Sequence, residues 1–179
     1  MLIYKILSVI SYVLFIPVFI FVSIILIATG FIYLPLFYVL DGLCCRLIMA
    51  AFFIYPEIRG SFPKHGTYII MMNHSSFLDV FIFPLIPRGY YTGVTAVKNF
   101  NIPVFSSILR QIQAIPIERK NLQAAIKSIE RAEKVLKNNI HIGILPEGTR
   151  TLSGRLGPLK KGGFHMAINT NTPIVPVGI

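Results

Sequence analysis

Acidic side chains are scarce in this chain of 179 residues: seven Asp and Glu stand against 17 Lys and Arg, for a formal net charge of +10. All but Asp41 of those acids, and all but Lys5 and Arg46 of the bases, lie from Glu57 onward. A basic segment of this kind suits anionic lipid heads, phosphorylated substrates or an acidic carrier protein. Nucleic acid, the other usual partner of basic proteins, is set aside, because no nucleic-acid motif is present and the bases are scattered. Cysteine is almost missing. Cys44 and Cys45 are adjacent and have no partners elsewhere, which excludes both a disulfide framework and a cysteine metal site. The chain contains no internal repeat, low-complexity tract or ligand cluster, so no metal is expected.

Charge is absent altogether from Ile6 to Leu40. A single transmembrane helix needs roughly 20 apolar residues, so this run is too long for one straight span and short for two. Pro17, Gly30 and Pro35 are natural break points. The pattern predicts one helix over Tyr4–Ala28 and a second over Phe31–Ile54, the latter carrying Asp41 and Arg46 and therefore suited to partial burial. A cleaved signal peptide fits less well: the apolar core far exceeds the roughly 7–15 residues expected, and no small-residue cleavage site follows. Residues 1–56 are thus expected to be a two-helix membrane anchor and 57–179 a separate domain. The distribution of bases favours the cytoplasmic face for that domain.

From Glu57 on, short apolar runs alternate with helical patterns, which predicts an α/β fold with a mixed sheet flanked by helices. Strands are expected at Thr67–Met72, Tyr91–Ala96, Ala114–Ile117, His141–Leu145 and Ile174–Ile179. The clearest helix is Leu122–Lys137, with apolar residues at helical spacing and Asn121 placed to cap it. Others are expected at Phe77–Ile86, Val104–Ile112 and Leu159–Asn169.

Four elements carry chemistry. The first is Asn73-His74-Ser75-Ser76-Phe77-Leu78-Asp79, a polar exit from an apolar strand. Five residues separate His74 from Asp79. On one helix their side chains would point about 140° apart, and on one strand to opposite faces, so they meet only if His74 lies in the turn and Asp79 in the first turn of the next helix. Ser-x-x-Asp is a capping pattern that supplies such a start, and Asp79 as a mere cap is the alternative reading. As a pair, the two suit acyl transfer: a carboxylate holds the imidazole in one tautomer while the other nitrogen takes a proton from a hydroxyl. The second element, Leu145-Pro146-Glu147-Gly148-Thr149-Arg150, is a rigid corner with charge at its tip, or else a surface turn in which Glu147 and Arg150 pair. The third is Arg119, just past an apolar strand, where a guanidinium could fork onto a phosphate. The fourth is the strand Pro173–Ile179. His65, His141 and His165 read as a turn residue, a strand-edge residue and a helix residue.

Together these residues resemble the glycerol-phosphate acyltransferase superfamily, and most closely its 1-acyl-glycerol-3-phosphate acyltransferase branch. NHSSFLD resembles the NHxxxxD block of that family, PIER its second block, LPEGTR its FPEGTR block and IVPVGI its fourth, all in family order, over about Ser61 to Ile179. The resemblance implies that His74 is the general base and Asp79 its orienting carboxylate. Arg119 and Arg150 would grip the acceptor phosphate, with Glu147, Gly148 and Thr149 shaping that pocket and Lys98 a weaker candidate for it. It further implies lysophosphatidate as acceptor, acyl-CoA or acyl carrier protein as co-substrate, anionic membrane lipid as surroundings, and neither cofactor nor metal. Another lysophospholipid or glycerol-3-phosphate is an alternative acceptor, and a non-catalytic lipid-binding fragment of the same fold is the alternative from outside enzymology. Two residues depart from the pattern: Gln113 stands where the family usually has glycine, and Leu145 where it has phenylalanine. Family members continue past the fourth block, so a C-terminal truncation is expected.

Overall fold

A computed structural model of the chain describes residues 2–117, 122–151 and 153–179. They form two units, one of Met1–Ser61 with Val80–Ile86, the other of Phe62–Asp79 with Pro87–Ile179.

The first unit is built on two helices, α1 (Leu2–Ile32) and α2 (Leu34–Ala51). Both are long and apolar enough to cross a membrane. Of the three expected break points only one region breaks. The helix runs through Pro17, and the chain turns at Tyr33, whose extended backbone precedes Pro35 in the first turn of α2. Proline at that position gives up an amide that has no helical partner in any case, so it starts a helix without cost. Phe15 and Tyr12 pack on Phe52 at 4.9 and 6.2 Å between ring centroids, which closes the hairpin. Asp41 is buried on α2 and accepts a hydrogen bond from the Cys45 thiol at 3.5 Å, while Arg46 is exposed.

The second unit holds a five-stranded sheet: β1 (Ile69–Met72), β2 (Tyr91–Ala96), β3 (Ile115–Ile117), β4 (His141–Ile144) and β5 (Ile174–Val177), in the order β3-β2-β4-β1-β5. The α/β class expected from the sequence is the class observed. The sheet, expected as mixed, is parallel at every described pairing. Each of β1 to β4 is followed by a crossover rather than a hairpin, and crossovers of this kind return the chain in the same direction. β1 and β4 are buried along their whole length, in keeping with strands covered on both faces.

The helices are α3 (Asp79–Ile82), α4 (Phe105–Gln111), α5 (Leu122–Lys137) and α6 (Gly162–Asn169). The expected helix over Phe77–Ile86 is shorter and gives way to a 3-10 turn at Phe83–Leu85, where Pro84 removes a helical donor. α5 buries Ser128, Ala132, Val135 and Leu136 at helical spacing, and Ser128 Oγ donates to the carbonyl of Pro116 at 2.8 Å, tying α5 to β3. Its expected cap, Asn121, lies outside the described residues. Ile69, Met71, Ile115, Ile142, Ile144, Met166 and Ala167 complete the core. α4 ends in a pair of bonds, Gln113 N–H to the Arg110 carbonyl and Ala114 N–H to that of Leu109, with Gln113 at φ 54°. That closure puts Gln113 in the left-handed region, which favours glycine, the residue that the resemblance led one to expect there.

Candidate active site

A parallel sheet places the C-terminal ends of all its strands at one rim, where α/β proteins bind ligands. At this rim the loops after β1 and β4 leave from adjacent strands, and those two loops contain Asn73–Asp79 and Leu145–Arg150.

His74 lies two residues past β1, and Asp79 is the first residue of α3. His74 Nδ1 is 2.7 Å from Asp79 Oδ2. The carboxylate is 1% exposed and the imidazole about a fifth exposed, at 21%. Asp79 Oδ2 also accepts the Ser75 and Ser76 amides at 2.8 and 3.0 Å, and Oδ1 the Ser75 hydroxyl at 3.3 Å. Asp79 is therefore both a cap and the partner of His74, so the two readings of that residue are not exclusive. With Nδ1–H donated to the carboxylate, the lone pair of the imidazole sits on Nε2.

Glu147 is 4% exposed and spends both oxygens on backbone: Oε1 accepts the His74 N–H and Oε2 the Gly157 N–H, each at 2.7 Å. No ion pair joins it to Arg150, which is exposed. Gly148 has φ 68° and returns its amide to the Leu145 carbonyl at 2.9 Å, which closes the corner that presents Thr149 and Arg150. The Thr151 amide then donates to the His74 carbonyl at 2.9 Å. Lys98 is exposed in the 3-10 turn Val97–Asn101 that follows β2, also at the C-terminal rim. Arg119 lies outside the described residues.

Asn73 and Gly157 were not singled out as site residues by sequence. The Asn73 side chain donates to the Ile179 carbonyl at 3.1 Å and accepts the Ile179 amide at 2.7 Å, pinning the chain beyond β5 to the start of the His74 loop. A polar residue immediately after an all-apolar strand was the available signal. His141 is the first residue of the central strand β4 and is buried. Its Nδ1 accepts the Tyr68 amide at 3.1 Å and its Nε2 donates to the Arg88 carbonyl at 3.0 Å, with Tyr68 stacked on the ring. Burial pushes its pKa down, partly offset by the Arg88 carbonyl.

A family model described as Acyltransferase matches residues 56–179. The chain belongs to the acyltransferase family. Among curated acyltransferases it is 42% identical to a 1-acyl-sn-glycerol-3-phosphate acyltransferase of Cocos nucifera, over 67% of this chain and 39% of that protein. It is 33% identical to the chloroplastic 1-acyl-sn-glycerol-3-phosphate acyltransferase BAT2 of Brassica napus, over 73% and 40%. The chain spans about two fifths of the length of these relatives. A crystal structure of the 1-acyl-sn-glycerophosphate acyltransferase PlsC of Thermotoga maritima shares the acyltransferase fold, with a TM-score of 0.59 at 17% identity over 88% of this chain and 72% of that one.

Proposed function

We propose that this acyltransferase moves a fatty acyl group from an acyl thioester to the free hydroxyl of 1-acyl-glycerol-3-phosphate, giving phosphatidate. The observation that carries the reading is the contact between His74 Nδ1 and the buried Asp79 carboxylate, which leaves Nε2 as a base. Nε2 takes the proton of the acceptor hydroxyl as its oxygen attacks the thioester carbonyl. The C–S bond then breaks, and the imidazolium returns the proton to the departing thiolate. Asp79 stabilises that imidazolium. Both proton transfers are handled by His74, so the scheme needs no cofactor or metal, and no acyl-enzyme forms.

Arg150, presented by the Gly148 turn, and Arg119 grip the acceptor phosphate, with Thr149 at the same tip and Lys98 as a further cation. Coenzyme A and acyl carrier protein are both anionic and fit a basic domain as donors. Residues 1–56 hold the enzyme in a membrane, with 57–179 as the catalytic domain on the cytoplasmic face, where anionic lipid surrounds the substrate. The relatives named above support this acceptor over glycerol-3-phosphate. The test is an acyl-transfer assay on the purified protein with lysophosphatidate, glycerol-3-phosphate and a neutral lysolipid. Preference for lysophosphatidate is expected; equal use of the neutral lysolipid would refute the phosphate assignment.

A further inference from the structure

Hydrogen bonds tie His74 to the loop after β4 through both polar groups of its backbone. Its N–H goes to Glu147 Oε1 at 2.7 Å, and its carbonyl takes the Thr151 N–H at 2.9 Å. The second Glu147 oxygen is held by the Gly157 amide at 2.7 Å, and the same segment is fastened again by Lys160 N–H to the Pro146 carbonyl at 2.8 Å. Bonds from amides to a buried carboxylate are short and strong, and a carboxylate that loses one is left under-solvated. Both Glu147 oxygens point at backbone amides, so the side chain is already committed before any substrate arrives. It would also repel a phosphate.

Gly157 is needed for this arrangement because of space. A Cβ there would lie 2.9 Å from Glu147 Oε2, closer than real side chains come. Its backbone is outside the left-handed region, so alanine there would strain no dihedral. What a methyl group would do is displace the carboxylate or withdraw the Gly157 amide, and either loosens the hold of Glu147 on the His74 N–H while the Thr151 bond to the His74 carbonyl stays.

We propose that Glu147 and Gly157 are positioning residues for the base: a relay from Gly157 through the Glu147 carboxylate to the His74 amide sets where Nε2 stands. The proposal rests on His74 being the base, as argued above.

The test compares wild type, Glu147→Gln, Gly157→Ala and the double variant of the full chain in detergent micelles. Gln can accept from one amide but turns an NH2 toward the other. Both single variants are expected to lower kcat by on the order of 10- to 100-fold, the scale of an ångström-sized misplacement of a catalytic group. KM for lysophosphatidate should stay within about twofold. Because one relay is broken in each case, the double variant should lose no more than the worse single one. Amide hydrogen exchange at His74, read by NMR on the same samples, should accelerate by about tenfold or more.

Three results would overturn the relay: Gly157→Ala with wild-type kcat, a raised KM for the phosphorylated acceptor at unchanged kcat, or a lowered Tm with His74 exchange and kcat unmoved. If the wild type fails to acylate lysophosphatidate, the function proposed above falls. The exchange data still decide the relay in that case, and unchanged His74 exchange in both single variants refutes it.

Discussion

Asp79→Asn separates the capping role of this residue from its chemical role. In the native site the Asp79 carboxylate is 1% exposed, and Oδ2 accepts His74 Nδ1–H, Ser75 N–H and Ser76 N–H within 3.0 Å. Asparagine preserves shape and one acceptor oxygen, and it is itself a good cap. The charge is what it removes. Hydrogen bonds to a charged group contribute about 1.5–3 kcal/mol and neutral ones about 1 kcal/mol, while relief of a buried charge offsets part of that loss. A net destabilisation of about 1–2 kcal/mol follows, too small to unfold a typical domain. The rate should suffer far more. The imidazolium formed in the transition state loses its counter-charge, and an amide NH2 turned toward Nδ1 would favour the tautomer whose Nε2 carries the proton. Losses of about 10²–10⁴ in kcat are the scale for such changes. Steady-state kinetics of thiol release, with lysophosphatidate varied, and a thermal melt on the same sample supply the readouts. An unchanged kcat in the folded variant would refute the dyad and leave Asp79 a cap.

Arg150→Lys keeps the charge but loses the fork, so KM for lysophosphatidate should rise on the order of tenfold while KM for the thioester stays constant; a change in donor KM alone would contradict the phosphate assignment. His141 accepts at Nδ1 and is buried, and its folded pKa lies below the ordinary 6.5. The folded state then binds its proton less readily than the unfolded one. Stability is full above pH 6.5 and declines as pH falls toward the lowered folded value. Thermal melts from pH 7.5 to about 5 should show this decline in wild type and a shallower one in His141→Gln; equal slopes would refute it. Gln113→Gly relieves a left-handed residue at the end of α4 and should stabilise by about 0.5–1 kcal/mol in chemical denaturation. A loss of stability would contradict the strain argument.

Local signals made the site's first half legible. An apolar run ending at Met72, a Ser-x-x-Asp start and the five-residue spacing together require the turn-then-helix path that brings His74 and Asp79 together. The helix Leu122–Lys137 declared itself by periodicity and the strand Tyr91–Ala96 as a short run between helical patterns, and their ends agree with the structure. Contacts across long separations left no such mark. The Glu147 bond to His74 spans 73 residues, and nothing in the order of residues distinguishes an acid aimed at substrate from one aimed at backbone. His141 sat in an apolar strand pattern that hid its two hydrogen bonds. The family glycine at position 113 was visible as a departure, but its reason, a left-handed helix end, required the backbone geometry.

On the proposal above, His74 is the base for acyl transfer to lysophosphatidate. Single-turnover transfer of a labelled acyl group from the thioester, compared between wild type and His74→Ala at equal folded protein, tests it most directly. A fall of at least about 10²-fold in labelled phosphatidate formation, with no labelled acyl-enzyme in either protein, is the predicted result. Near-wild-type formation of phosphatidate by the folded variant would contradict it.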